Sequence, residues 1–134
     1  MTENPLRVLV ADDSRAVSRA LERVLGRAGC DVLTVASGEA ACTLLAAAEV
    51  DVVLLDVHMP GMSGEAAYHS IVSRWPYLAD RVAIMSGDTV TEDSVAWIRA
   101  IDAPVLSKPF ETKELIATIT RLGRRDPRRT AIGE

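Results

Sequence analysis

The stretch Asp51-Val52-Val53-Leu54-Leu55-Asp56-Val57-His58-Met59-Pro60-Gly61-Met62-Ser63-Gly64 decides the fold. A short run that is apolar without alternation is a strand covered on both faces, so residues 51–55 predict a central strand of a parallel sheet. The run stops on a carboxylate, Asp56. Pro60, Gly61 and Gly64 then punctuate a loop, and a helix is expected over about 65–75, halted by Pro76.

The same unit recurs on either side. Residues 7–11 predict a first buried strand, followed by a helix from about Ser14 to Arg27 in which Val17, Leu21, Val24, Leu25 and Ala28 recur at helical spacing, with Gly29 as its carboxyl cap. Residues 31–36 predict a second strand, and Ser37-Gly38 opens an alanine-rich helix to about Ala48. Beyond the central stretch, strands are expected over 81–85 and 104–107, with helices over about 92–101, capped by Thr91, and 112–122, capped by Gly123. Five strand-then-helix units with right-handed crossovers make an α/β, doubly wound, flavodoxin-like (βα)5 sandwich, its parallel strands in the order 2-1-3-4-5.

Polar residues stand where four of the apolar runs end: Asp12 and Asp13, Asp56, Ser86, and Lys108. In open α/β sheets ligands gather outside the carboxyl ends of the strands, so three carboxylates, a hydroxyl and an ammonium are expected on one rim. Like charges that close repel, and a divalent cation resolves the conflict. Magnesium prefers oxygen ligands and takes only one or two carboxylates directly, which suits Asp13 and Asp56 as direct ligands and Asp12 acting through water. Asp56 is the candidate nucleophile, because a carboxylate is ionised at neutral pH and needs no general base. Lys108 and Ser86 would then neutralise and hydrogen-bond an arriving phosphoryl group, with Gly87 leaving it space. A flavodoxin-type cofactor site fails on chemistry. The first strand-to-helix turn, Ala11-Asp12-Asp13-Ser14-Arg15, has acids where a phosphate loop needs glycines, and no GxGxxG or GxxxxGK[ST] occurs.

Composition narrows the class further. With 134 residues the chain has room for one domain, 49% hydrophobic and 25% charged residues are ordinary for a globular protein, and a net charge of -4 does not suggest a nucleic-acid binder. No apolar run could span a bilayer, and Met1-Thr2-Glu3-Asn4-Pro5 lacks the features of a signal peptide, so a cytoplasmic protein is expected. Cys30 and Cys42 lack metal or redox spacing.

These residues, with Asp56-Val57-His58-Met59-Pro60-Gly61-Met62-Ser63-Gly64 and Lys108-Pro109-Phe110, resemble the receiver domain of two-component response regulators over residues 6–122. The resemblance implies phosphoryl transfer from a phosphohistidine of a sensor histidine kinase onto Asp56, with Mg2+. It places Asp12, Asp13 and Asp56 in an acidic pocket, the backbone carbonyl of His58 at the remaining metal position, Ser86 as the switch hydroxyl and Lys108 as the phosphoryl-binding lysine. It also implies a cis peptide before Pro109. One position departs from the pattern: Val105 stands where many receivers carry an aromatic residue that changes orientation on activation.

The reading is therefore a receiver domain over 1–123 and a basic, flexible tail over 124–134, acting as a single-domain response regulator rather than an enzyme. Its partners would be a sensor kinase and a protein effector on the surface of the fourth helix, fifth strand and last helix, with no nucleic acid or membrane. The alternatives are a phosphorelay intermediate that passes phosphate to a histidine phosphotransfer protein, a phosphorylation-independent scaffold, and a metal-dependent phosphohydrolase, whose DxD spacing is absent because residue 58 is His. His58 and Asp88 are expected beside the phosphoryl group, where they would tune its lifetime. Trp97 is expected at the edge of the core, with an exposed docking residue as the competing reading, and His69 on a helix surface.

Overall fold

Strand and helix alternate along the whole of the described chain. The computed structural model describes residues 5–87 and 92–124, the side chains of 92–95 excepted. Strands β1 (Arg7–Ala11), β2 (Asp31–Val35), β3 (Val52–Asp56), β4 (Val82–Ser86) and β5 (Val105–Ser107) alternate with helices α1 (Arg15–Arg27), α2 (Gly38–Ala47), α3 (Gly64–Arg74), α4 (Glu92–Ile101) and α5 (Thr112–Gly123). The strands form one parallel sheet in the order β2-β1-β3-β4-β5, as the sequence predicts.

Burial follows the pleat. Val8, Val10, Val52, Leu54, Ala83 and Met85 point to one face, where Leu21 and Leu25 of α1 and Leu115, Ile119 and Leu122 of α5 cover them. Leu9, Val53, Leu55 and Ile84 point to the other face, under α2, α3 and α4. Every residue of β3 is buried, and fully burying a side chain such as Leu54 stabilises by roughly 1.5–3 kcal/mol. β3 is thus the spine of the domain, with α1 and α5 on one side of it.

Serine starts three of the helices. The hydroxyls of Ser14, Ser37 and Ser63 accept hydrogen bonds from the amides of Val17, Ala40 and Ala66 at 3.3, 3.0 and 3.1 Å, each cap worth about 1 kcal/mol. Each of these helices leaves the same rim of the sheet.

Several boundaries differ from expectation for identifiable reasons. β3 and β4 end one residue later than predicted, because the parallel ladder pairs Asp56 with Met85 and Ser86 with Ser107. Pro76 does end α3, and it also begins a short 3-10 turn over Pro76–Leu78 that the sequence reading lacks. Ala28 is exposed and caps α1, with Gly29 following at φ 94°. Gly123 is the last residue of α5 and not a cap: a Cβ there would lie 2.7 Å from Leu6, so the position is glycine for close packing. The Thr91 cap, Asp88 and the tail over 125–134 lie outside the described residues.

Candidate functional site

Asp12 leaves β1 as the sheet ends, its amide still donating to the Val35 carbonyl at 3.1 Å. Its carboxylate is buried and held at both oxygens: the Ser14 amide donates to Oδ1 at 2.8 Å, and Lys108 Nζ lies 2.7 Å from Oδ2. The Ser18 hydroxyl, one turn into α1, donates to the Asp12 carbonyl at 3.4 Å. Asp13 is exposed. Asp56 closes β3, only 6% exposed, with Lys108 Nζ at 3.3 Å from its Oδ1.

Single carboxylate oxygens of Asp12, Asp13 and Asp56 all lie within 4.8 Å of one another. One ammonium therefore faces three acids, and the cluster retains an excess of negative charge. Asp56 shows the consequence. Burial, and then the charge of Asp12, push its pKa up, while Lys108 and a hydrogen bond with the His58 backbone pull the other way without cancelling the rise. For Lys108 burial is the largest influence and acts downward. The hydrogen bond to Asp12 and the charges of Asp56 and Asp12 together outweigh it and hold the ammonium above the ordinary lysine value. An oxygen-rich cluster with surplus negative charge, one member of it solvent-facing, fits a hard divalent cation.

The backbone fixes this arrangement. The Val57 amide donates to the Met85 carbonyl at 3.1 Å and the Gly64 amide to the Val57 carbonyl at 3.0 Å, folding the loop after Asp56 back onto its own strand end. A Cβ at Gly64 would sit 2.6 Å from the Asp56 carbonyl oxygen and 2.7 Å from that of Val57, so only glycine allows α3 to start there. Gly61 turns the loop at φ 78° beside the Glu39 carboxylate. The Lys108 amide donates to the Ser86 carbonyl at 2.8 Å, and the peptide between Lys108 and Pro109 is cis, as the resemblance implies.

All five predicted rim residues thus come to one end of the sheet. Ser86 is buried, and its hydroxyl points to the Gly87 carbonyl at 3.3 Å. A Cβ at Gly87 would meet nothing within 4 Å, so space beside the serine is open. The side chain of His58 is exposed. Sequence reasoning missed the amide of Ser14 and the hydroxyl of Ser18 as supports for Asp12; a serine cap directly after an acidic pair was the available signal.

Trp97 is buried against Tyr68, ring centroids 6.1 Å apart, so the core reading holds and the exposed docking residue does not. His69 is exposed and edge-on to Tyr68. Trp75 lies beneath the Arg74 guanidinium, 4.5 Å from the ring centre. No helix among the described residues is long and apolar enough to cross a membrane.

A family model described as the response regulator receiver domain matches residues 8–120. The chain belongs to that family. This receiver domain is 35% identical over 115 residues to the Pseudomonas aeruginosa response regulator FleR, a match covering 86% of the chain and 24% of FleR. It is 36% identical over 130 residues to the response regulator MprA of Mycolicibacterium vanbaalenii, covering 97% of the chain and 55% of MprA. The receiver domain therefore spans about a quarter to a half of the length of these curated relatives. Among solved structures, the Vibrio cholerae chemotaxis protein CheY4 superposes with a TM-score of 0.77 at 27% identity, over 88% of this chain and 98% of that one.

Proposed function

We propose that the receiver domain accepts a phosphoryl group on Asp56 from a phosphohistidine of a sensor histidine kinase and signals through protein contact. Phosphate acceptance with magnesium is general to the family that the chain belongs to. The observation that carries the assignment to particular residues is the position of Lys108 Nζ between two buried carboxylates, 2.7 Å from Asp12 and 3.3 Å from Asp56, with Asp13 beside them.

In the proposed step an Asp56 carboxylate oxygen attacks phosphorus, the P–N bond of the phosphohistidine breaks, and its electron pair leaves with the imidazole nitrogen. Asp13 and Asp56, the His58 carbonyl, and Asp12 through water would hold Mg2+, which supplies charge neutralisation to a phosphoryl oxygen. That Asp12 is already engaged by Lys108 and the Ser14 amide supports its indirect part. Lys108 releases Asp56 and pairs with a second phosphoryl oxygen, and Ser86 turns from the Gly87 carbonyl to donate to a third. His58, exposed two residues past Asp56, sets the lifetime of the group.

Receiver domains are signalling phosphoacceptors and are not generally classed as enzymes. Moving Ser86 and Lys108 onto the phosphoryl group biases the junctions that follow β4 and β5, a population shift read at the surface of α4, β5 and α5. Val105, 41% exposed, lies on that surface in place of an aromatic side chain. The test is mass spectrometry after incubation with acetyl phosphate and magnesium. One added phosphoryl mass is expected, lost in Asp56→Asn and on chelation, and no gain from this donor or from any sensor kinase overturns the proposal.

A further inference from the structure

The loop that carries the His58 carbonyl is held unevenly along its length. The Val57 and Gly64 amides tie its base, but among the described residues no hydrogen bond holds Met59, Pro60, Gly61 or Met62. Packing alone sets where this stretch lies. Val57 and Met59 are buried in the core on either side of exposed His58, and since a peptide unit is planar, an anchored Met59 restricts the plane of the His58 carbonyl.

Beyond Pro60 the support comes from the first turn of α2. Gly38 is buried, and a Cβ on it would lie 2.9 Å from Met62 Sδ, 3.2 Å from Met62 Cβ and 3.0 Å from Ala67 Cβ. The first of these is closer than real side chains come. One residue on, the Glu39 carboxylate closes over Gly61, an oxygen 3.1 Å from where a Cβ would stand. Helix α2 itself gives no reason for a glycine at 38. Its φ is not positive, the Ser37 hydroxyl already caps the helix, and glycine weakens a helix relative to alanine.

We propose that Gly38, acting through Met62, is a positioning residue for the divalent cation: the depth to which Met62 settles on α2 sets the height of the loop and of the His58 carbonyl. This rests on the reading that Asp13, Asp56 and that carbonyl hold Mg2+. A methyl group at 38 pushes Met62 outward, and with no hydrogen bonds over 59–62 to resist, the shift passes along the chain to His58. Close packing of α2 on α3 is the competing explanation, since Ala67 belongs to α3. It predicts a loss of stability with no change in cation affinity, and two of the three atoms nearest a Gly38 Cβ belong to Met62 instead.

The test compares Gly38→Ala with Gly26→Ala, which adds the same methyl group to α1 where nothing lies within 4 Å. Magnesium affinity is read from the melting temperature across a magnesium titration, and amide hydrogen exchange at Met59, Gly61 and Met62 is followed in the metal-free protein. Gly38→Ala weakens the affinity at least about fivefold and speeds exchange of the loop amides, whereas Gly26→Ala changes neither. At saturating magnesium, Gly38→Ala is phosphorylated by acetyl phosphate at the wild-type rate. Met62→Ala weakens the affinity in the wild-type background by loosening the loop, yet strengthens it when added to Gly38→Ala by removing the crowded sulfur. Helix packing gives no such reversal.

An unchanged magnesium affinity in Gly38→Ala, or a loss of stability alone, overturns the inference while the wild type still responds to magnesium. A wild type that does not respond overturns the reading beneath it as well. If Gly38→Ala fails to fold, Met62→Ala alone decides: weakened affinity with faster loop exchange supports the role, and wild-type affinity overturns it.

Discussion

Lys108 Nζ lies 2.7 Å from Asp12 Oδ2, an ion pair between residues 96 apart in the sequence that ties the end of β5 to the end of β1 across the intervening strands. The same ammonium reaches Asp56, so removing it strands two buried carboxylates together. Lys108→Met should cost roughly 1–3 kcal/mol, less than a fully buried pair because the lysine keeps partial exposure. Urea unfolding in chelator reads it, and Asp56→Asn should recover part of the loss in a double-mutant cycle. Full additivity would show that the two charges do not interact. Because the folded pKa of Lys108 is raised, its contribution is complete below the unfolded lysine value and disappears as pH rises through the folded one.

Asp56 has the opposite dependence. Its folded pKa lies above its unfolded value, so folding favours the protonated form and the carboxylate costs stability at neutral pH. Asp56→Asn should stabilise the metal-free protein at pH 7 by on the order of 1 kcal/mol. As pH falls through the raised pKa, wild type should gain on the variant until the difference closes. Denaturation at a series of pH values in chelator measures it, and an asparagine variant no more stable than wild type at neutral pH contradicts the repulsion.

Magnesium should raise the melting temperature of the wild-type protein. At a hundredfold excess over its Kd, a ligand of the folded state adds about 2.7 kcal/mol, roughly 10 °C for a domain of this size. Asp13→Asn should remove most of that shift, since Asp13 is the exposed member of the cluster and is available to an incoming ion. An equal shift in the variant would place the cation elsewhere.

Gly64→Ala and Gly87→Ala should differ sharply although both flank the site. The first drives a methyl group into two carbonyl oxygens of the chain that carries Asp56 and should cost about 1–3 kcal/mol, displacing the nucleophile candidate and slowing phosphorylation by acetyl phosphate. The second meets open space and should stay within about 0.5 kcal/mol of wild type. Thermal melts with the phosphorylation assay check both.

Residues that obey a period or stop one were legible beforehand. Val52 to Leu55 announce a doubly covered strand, and the polar residues ending such runs announce the rim, so strand order and the Asp12, Asp13, Asp56, Ser86 and Lys108 set could be read directly. What was not legible depends on contacts distant in sequence. Glycine at 123 is set by Leu6, more than a hundred residues earlier, and local sequence reads it as a cap. Arg81, 3% exposed, donates to the Asp51 carbonyl at 3.0 Å, a place that no periodicity assigns to a charged side chain. Asp56 belongs to the strand and not to the loop because a neighbouring strand pairs with it.

The two outer strands have a further consequence for behaviour at high concentration. A sheet edge offers unpaired amides and carbonyls to any passing chain, the route by which sheets recruit each other into aggregates. β5 exposes such a row over three residues only, and the five residues of β2 include exposed Asp31 and Thr34 among partly covered apolar ones. Both edges are thus too short or too polar to template strand addition, and the domain can leave its working rim bare to solvent without becoming sticky along its flanks.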